Sequence, residues 1–115
     1  MFKALVKAEA MADLVAPVVM MVRKHDRGLA DQIRRATQSV VLGSAEGWGV
    51  SGGNQRVHFE RVAGSNAEMR AGLRMAVRWG YVDGARVRAI DALADEVAAM
   101  VWRLLHPRSA VHQTP

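Results

Sequence analysis

Apolar residues recur along this chain at steps of three and four, the period of a helix with one buried face. From Phe2 to Lys24, Leu5, Ala8, Ala12, Val15, Val19 and Val22 fall on one such face. Pro17 lies inside this stretch; it lacks a backbone donor and crowds the preceding turn, which predicts a kink or a later helix start. A second helix is expected from Gly28 to Glu46, with Leu29, Ile33, Ala36 and Val40 as its stripe. Asp26 is placed to cap it, Asp31 lies within reach of Arg34 and Arg35, and Gly47 and Gly49 mark its end. The third helix spans Asn54 to Trp79 and is closed by Gly80 in a left-handed conformation, with apolar Tyr81 beyond it. The fourth runs from Gly84 to His106, capped by Asp83 and stopped before Pro107. Its stripe is Val87, Ile90, Ala94, Val97, Val101 and Leu104.

Four helices with short connections predict an all-α, antiparallel up-and-down four-helix bundle. Residues 1–106 make one domain and 107–115 a flexible C-terminal tail. Gly47, Gly49, Gly52 and Gly53 read as hinge or turn residues, and Gly64 and Gly72 as places where helix backbones approach closely. The apolar surface exceeds what one bundle can bury. The first helix is apolar all round from Leu14 to Val22, and the fourth adds Leu93 and Met100 beside its stripe. A helix that is apolar on more than one side needs cover on more than one side, so a homo-oligomer is expected.

Composition narrows the class. The 115 residues fit one domain, and the absence of cysteine excludes a disulfide framework, thiolate zinc sites and thiol catalysis. The longest apolar run, Leu14 to Val22, is about half of the ~20 residues of a membrane span. Asp13 interrupts the region where a secretory signal would form, so a cytoplasmic location is expected. The net charge of +5 divides into +2 over residues 1–27, +3 over 28–80 and zero over 81–115. Most cations are arginine, whose planar fork suits phosphate. The same composition also arises from GC-rich coding.

Catalytic signals are nearly absent. His25, His58, His106 and His112 are scattered, and none lies three residues after a glutamate as in di-iron bundles; no metal or cofactor is expected. The glycines lack the Lys-Ser/Thr of a phosphate-binding loop. His58 and Glu60 are two apart on one helix and do not face each other. No enzymatic activity is expected. The clearest polar pattern is Arg70, Arg74 and Arg78, spaced at four without an acidic residue three or four positions away. Within their helix these charges only repel one another. Two compensations are open: phosphate, with Lys3, Lys7, Arg56 and Arg61 extending the basic surface, or an ion-pair ladder to Asp91, Asp95 and Glu96 of the fourth helix, in the same or a neighbouring subunit. Gln32, Arg34, Ser39, Glu46, Ser65 and Glu68 lie on or beside apolar faces. Glu46 and Glu68 have two readings, a catalytic pair of carboxylates or, the one favoured, partners of Arg34, Arg35 or helix ends that fix the bundle's register.

The run Gln32-Ile33-Arg34-Arg35-Ala36, then Ser39, Ala45-Glu46-Gly47-Trp48, Gly64-Ser65 with Glu68, and Gly80-Tyr81 resembles the 23S rRNA intervening-sequence protein family. That family is similar to the accessory variability proteins of diversity-generating retroelements. The resemblance spans residues 28–82. It implies a homopentameric barrel of four-helix bundles without known enzymatic activity, and, in the retroelement branch, a basic surface for nucleic acid and association with a reverse transcriptase. The chain departs from the family at Val41, where proline is usual, and at Gly43-Ser44, where Asn-Ile is usual. The second departure is expected to loosen the end of the second helix.

The expectation is a non-catalytic, pentameric nucleic-acid-binding or ribonucleoprotein scaffold that contacts RNA or DNA with little sequence specificity through Arg70, Arg74, Arg78 and their basic neighbours. The alternative is a protein-interaction adaptor whose basicity is incidental.

Overall fold

The computed structural model describes residues 2–50 and 53–107. They form four helices, α1 (Lys3–Arg23), α2 (Arg27–Gly49), α3 (Gly53–Arg78) and α4 (Gly84–Leu105), with no strand among the described residues. Each helix packs on its neighbours in chain order, and α4 closes the ring against α1. This is the expected four-helix bundle. Gly52 and residues 108–115 of the expected tail lie outside the described residues.

Local chemistry sets the helix ends. Asp26 accepts a hydrogen bond from the Leu29 amide at 2.9 Å, and Asp83 accepts one from the Arg86 amide at 3.1 Å. Each satisfies one of the amides that a helix start leaves without a partner. At the end of α3, Gly80 takes φ +77°, the Tyr81 amide reaches back to the Ala76 carbonyl at 2.8 Å, and the Gly80 amide to that of Val77 at 3.0 Å. This is a Schellman ending. The Tyr81 ring stacks on His25 at 4.9 Å and so ties the α3–α4 turn to the α1–α2 turn.

The core is built from Met11, Ile33, Phe59, Met69, Leu73, Ile90 and a set of valines. In α2 and α4 the expected stripes are buried, except that Leu29 is half-buried and Leu104 is exposed. In α1 the buried face is shifted to one side of the expected stripe: Ala4, Met11 and Val18 join Ala8, Val15, Val19 and Val22, while Leu5 and Ala12 move to its edge. Helix α1 is continuous through Pro17 and does not start late. The proline is exposed, so water reaches the backbone group it leaves without a partner.

The α2–α3 pairing is the most extensive. Three glycines set its spacing. A Cβ at Gly43 would lie 2.8 Å from Val62 Cγ2, one at Gly47 2.8 Å from the Phe59 ring, and one at Gly72 2.8 Å from Ile33 Cγ1. Gly47 is therefore no hinge: it lies inside α2, which continues to Gly49. Gly43-Ser44 does not loosen the helix either, because both residues are buried and Ser44 Oγ donates to the Val40 carbonyl at 2.7 Å. Gly64 departs from expectation too. It is exposed, and its Cβ would meet nothing within 4 Å.

Gly72→Val is expected to destabilise the bundle by about 1–3 kcal/mol through overpacking against Ile33. Gly64→Ala is expected to stabilise it by roughly 0.5–1 kcal/mol through helix propensity alone. Urea denaturation of the two variants measures both effects.

Candidate functional site

Spacing at four puts Arg70, Arg74 and Arg78 on one face of α3, but packing against α4 gives them different surroundings. Arg70 Nε donates to Asp91 Oδ1 at 3.0 Å, and its Nη2 lies 2.8 Å from Asp95 Oδ1. Partial burial disfavours the charged guanidinium; the hydrogen bond and charge of Asp95, with the charge of Asp91, outweigh that, so the Arg70 pKa is raised. Arg70 is thus a clamp between α3 and α4. Within one subunit the ion-pair ladder forms at this arginine and, among the described residues, at neither of the other two. Glu96, the third acid of that ladder, pairs with Lys7 at 3.3 Å.

Arg74 and Arg78 are exposed and have no acidic partner among the described residues. They line a groove of about 380 Å³ between the end of α3 and the start of α4, together with Val77, Gly84, Val87 and Arg88. Arg88 likewise has no ion pair among the described residues. The Asp91 carboxylate, three positions further along α4, is engaged by Arg70. Three guanidiniums thus share one concave surface. Sequence reading missed Arg88, because α4 as a whole is electrically neutral; the signal available was its position one turn before an aspartate that another helix claims.

The remaining basic candidates lie elsewhere. Lys3 and Arg56 sit at the opposite end of the bundle, where α1 and α3 begin, and Lys7 and Arg61 lie one to two turns further in. Arg56 donates to the Leu105 carbonyl at 3.1 Å and lies 3.8 Å from Glu60. Lys3 and Arg61 are exposed without an acidic partner among the described residues. The single basic surface expected from the sequence is divided between the two ends of the bundle. An up-and-down bundle alternates its helix ends, so residues early and late in α3 cannot share one patch.

The expected register network forms in part. Ser65 Oγ donates to Ser39 Oγ at 2.7 Å across α2 and α3. Glu46 pairs with neither Arg34 nor Arg35; its Oε2 lies 3.3 Å from His58 Nδ1, without the alignment of a hydrogen bond. Arg34 instead lies 4.0 Å from Asp31 and reaches Gln38 at 3.5 Å. Arg35, Glu68 and Gln32 face solvent. Sequence reading overlooked two buried polar residues: Thr37, whose Oγ1 donates to the Ile33 carbonyl at 2.7 Å within α2, and Asn66, whose Nδ2 donates to the Ala94 carbonyl at 3.0 Å and joins α3 to α4. No cluster of three or more metal-ligating side chains occurs among the described residues.

A second concave surface, about 620 Å³, lies between α1 and α2. Val15, Val19, Met20, Val41 and Leu42 make most of its wall. Met20 is 63% and Leu42 59% exposed, a large apolar area to leave in water. No described helix is long and apolar enough to cross a membrane.

The model of a family described as 23S rRNA-intervening sequence protein matches residues 2–103. The chain is also similar in structure to a protein of unknown function from the S23 ribosomal protein family of Bacteroides thetaiotaomicron VPI-5482, known from a crystal structure. The TM-score is 0.81 over 90% of this chain and 98% of that one, at 12% identity. Likeness at that identity establishes a shared fold. No curated protein matches the chain.

Arg70→Ala is expected to destabilise the bundle by about 1 kcal/mol, since the clamp is only partly buried. Arg74→Ala is expected to be neutral or to stabilise by a few tenths of a kcal/mol through relief of repulsion. Thermal denaturation of the two variants distinguishes a structural from an unpaired arginine.

Proposed function

Since the chain belongs to the 23S rRNA-intervening sequence protein family, we propose that it is a non-catalytic, homo-oligomeric scaffold that binds the phosphate backbone of nucleic acid. The observation that carries this reading is the groove of Arg74, Arg78 and Arg88, three guanidiniums gathered on one concave surface with no acidic partner among the described residues. Clustering like charges costs free energy in the isolated subunit, and a polyanion removes that cost. Arg70 is left out of the contact surface because two aspartates already hold it. Contacts to phosphate position a nucleic acid without reading its bases, so little sequence preference is expected.

Self-association enters through the α1–α2 groove. Its exposed Met20 and Leu42 are the apolar excess that one bundle leaves uncovered, and a second copy is the occupant this reading assigns to it. Pentameric closure follows the resemblance and would repeat the arginine groove around a ring, multiplying a modest charge into a strong positive field. In an rRNA setting this assembly is a ribonucleoprotein scaffold; in a retroelement setting it presents nucleic acid to a reverse transcriptase. Gene neighbourhood distinguishes the two.

Titration of labelled RNA and DNA between about 50 and 200 mM salt tests the binding. Affinity is expected to fall steeply with salt, and Arg74→Ala, Arg78→Ala and Arg88→Ala are each expected to reduce the slope by about one. Arg70→Ala should leave the slope unchanged, and binding insensitive to salt would overturn the reading. For assembly, Leu42→Glu is expected to lower the mass measured by light scattering, because it places a charge in a desolvated apolar contact; a monomeric unsubstituted protein contradicts the oligomer.

A further inference from the structure

The end of the bundle opposite the arginine groove, where α1 begins and α4 ends, carries a second kind of surface. Trp48, in the last turn of α2, is 61% exposed, although it is the largest side chain of that helix. It is nevertheless held in place. Its indole stacks on Phe2 with ring centres 4.7 Å apart and planes 14° from parallel, and Phe2 leans on buried Phe59 at 5.8 Å. Phe59 in turn lies against Gly47, so the aromatic column is anchored in the tight α2–α3 contact. Phe2 covers one face of the indole, and the exposure of Trp48 leaves its other face to solvent.

Beside this column is a cleft of about 380 Å³, lined by Phe2, Lys3, Trp48, Met100, Arg103 and Leu104. That volume lies within the range of small-ligand pockets. Lys3 and Arg103 have no acidic partner among the described residues, and no acidic side chain lines the cleft. Two backbone features reinforce the positive character. Helix α1 starts without a side-chain cap from Phe2, so among the described residues no side chain claims its first-turn amides at Lys3. The carbonyl ends of α4 and α2, which would repel an anion, are engaged at Leu105 by the Arg56 guanidinium and at Gly47 and Val50 by the Gln55 amide nitrogen.

A preoriented aromatic face flanked by unpaired cations is the combination that binds single-stranded nucleic acid, with bases stacking on the ring and phosphates resting on the cations. We infer that this end of the bundle is a docking site for an unpaired segment of nucleic acid, with one base stacked on Trp48 and the adjoining phosphates held by Lys3 and Arg103. The inference rests on the nucleic-acid reading and deepens it: the arginine groove grips backbone of any form, whereas the tryptophan end requires a base free of its helix.

The test compares a labelled oligo(U) with a blunt RNA duplex of equal length, both titrated against the intact protein. Trp48→Ala is expected to weaken oligo(U) binding by about tenfold and to leave duplex binding unchanged. Unchanged duplex binding also shows that the variant is folded. Trp48→Phe, which keeps an aromatic face, should recover most of the loss. In a Trp79→Phe, Trp102→Phe background, the Trp48 emission should be quenched by oligo(U) and not by the duplex. Equal losses for both probes, or no loss for either, overturn this site while leaving the arginine groove standing. A drop in assembly mass with oligo(U) affinity unchanged makes Trp48 a subunit contact and also overturns it. Failure of the unsubstituted protein to bind either probe overturns both readings.

Discussion

The close approach of α2 to α3 is the constraint on which the rest of the bundle depends. Gly43, Gly47 and Gly72 give up their side chains so that Val62, Phe59 and Ile33 fill the space between the two helices. With atoms at that spacing, neither helix can rotate or slide without a clash, because a packed interior has few voids to absorb the movement. The Ser39–Ser65 hydrogen bond lies in the same seam and adds a polar marker of register. Both outer helices then dock on a pair whose geometry is already decided.

That rigid pair determines which cations remain available. Once α3 is oriented by its contact with α2, Arg70 faces α4 and meets Asp91 and Asp95, while Asn66 one turn earlier reaches the Ala94 carbonyl. These two contacts set the position of α4 against α3. Arg88 is thereby brought beside Arg74 and Arg78 at the other side of the clamp. One arginine of the stripe thus becomes a structural element, and two become part of a surface with a neighbour from another helix. The division follows from geometry, since the three have identical chemistry.

The same seam supports the opposite end of the molecule. Gly47 admits the Phe59 ring, Phe59 supports Phe2, and Phe2 carries Trp48. A tryptophan that would otherwise sample several rotamers is given a fixed plane beside Lys3 and Arg103. The bundle therefore carries guanidiniums at one end and an aromatic face with two cations at the other, separated by helices whose exposed apolar side, at Met20 and Leu42, is suited to contact between copies.

The amino-acid sequence by itself determined the number of helices, their ends within a few residues and the caps at Asp26, Asp83 and Gly80. These depend on hydrogen bonds between residues three to five apart, which neighbours in the chain suffice to specify. It also picked out Gly72 as a close approach and placed Ser39 and Ser65 beside the apolar faces, but only the structure made those two serines partners. Only the tertiary structure decided which way each helix turns about its own axis. That rotation shifted the buried face of α1 toward Ala4, Met11 and Val18, left Gly64 in solvent and gave Glu46 to His58 instead of an arginine, while the alignment of α4 along α3 separated Arg70 from Arg74 and Arg78. Successive residues lie about 100° apart on a helix, so even a modest rotation carries side chains at the edge of a face into or out of the core. Periodicity along one helix carries no information about that choice, which belongs to the pair of surfaces that meet.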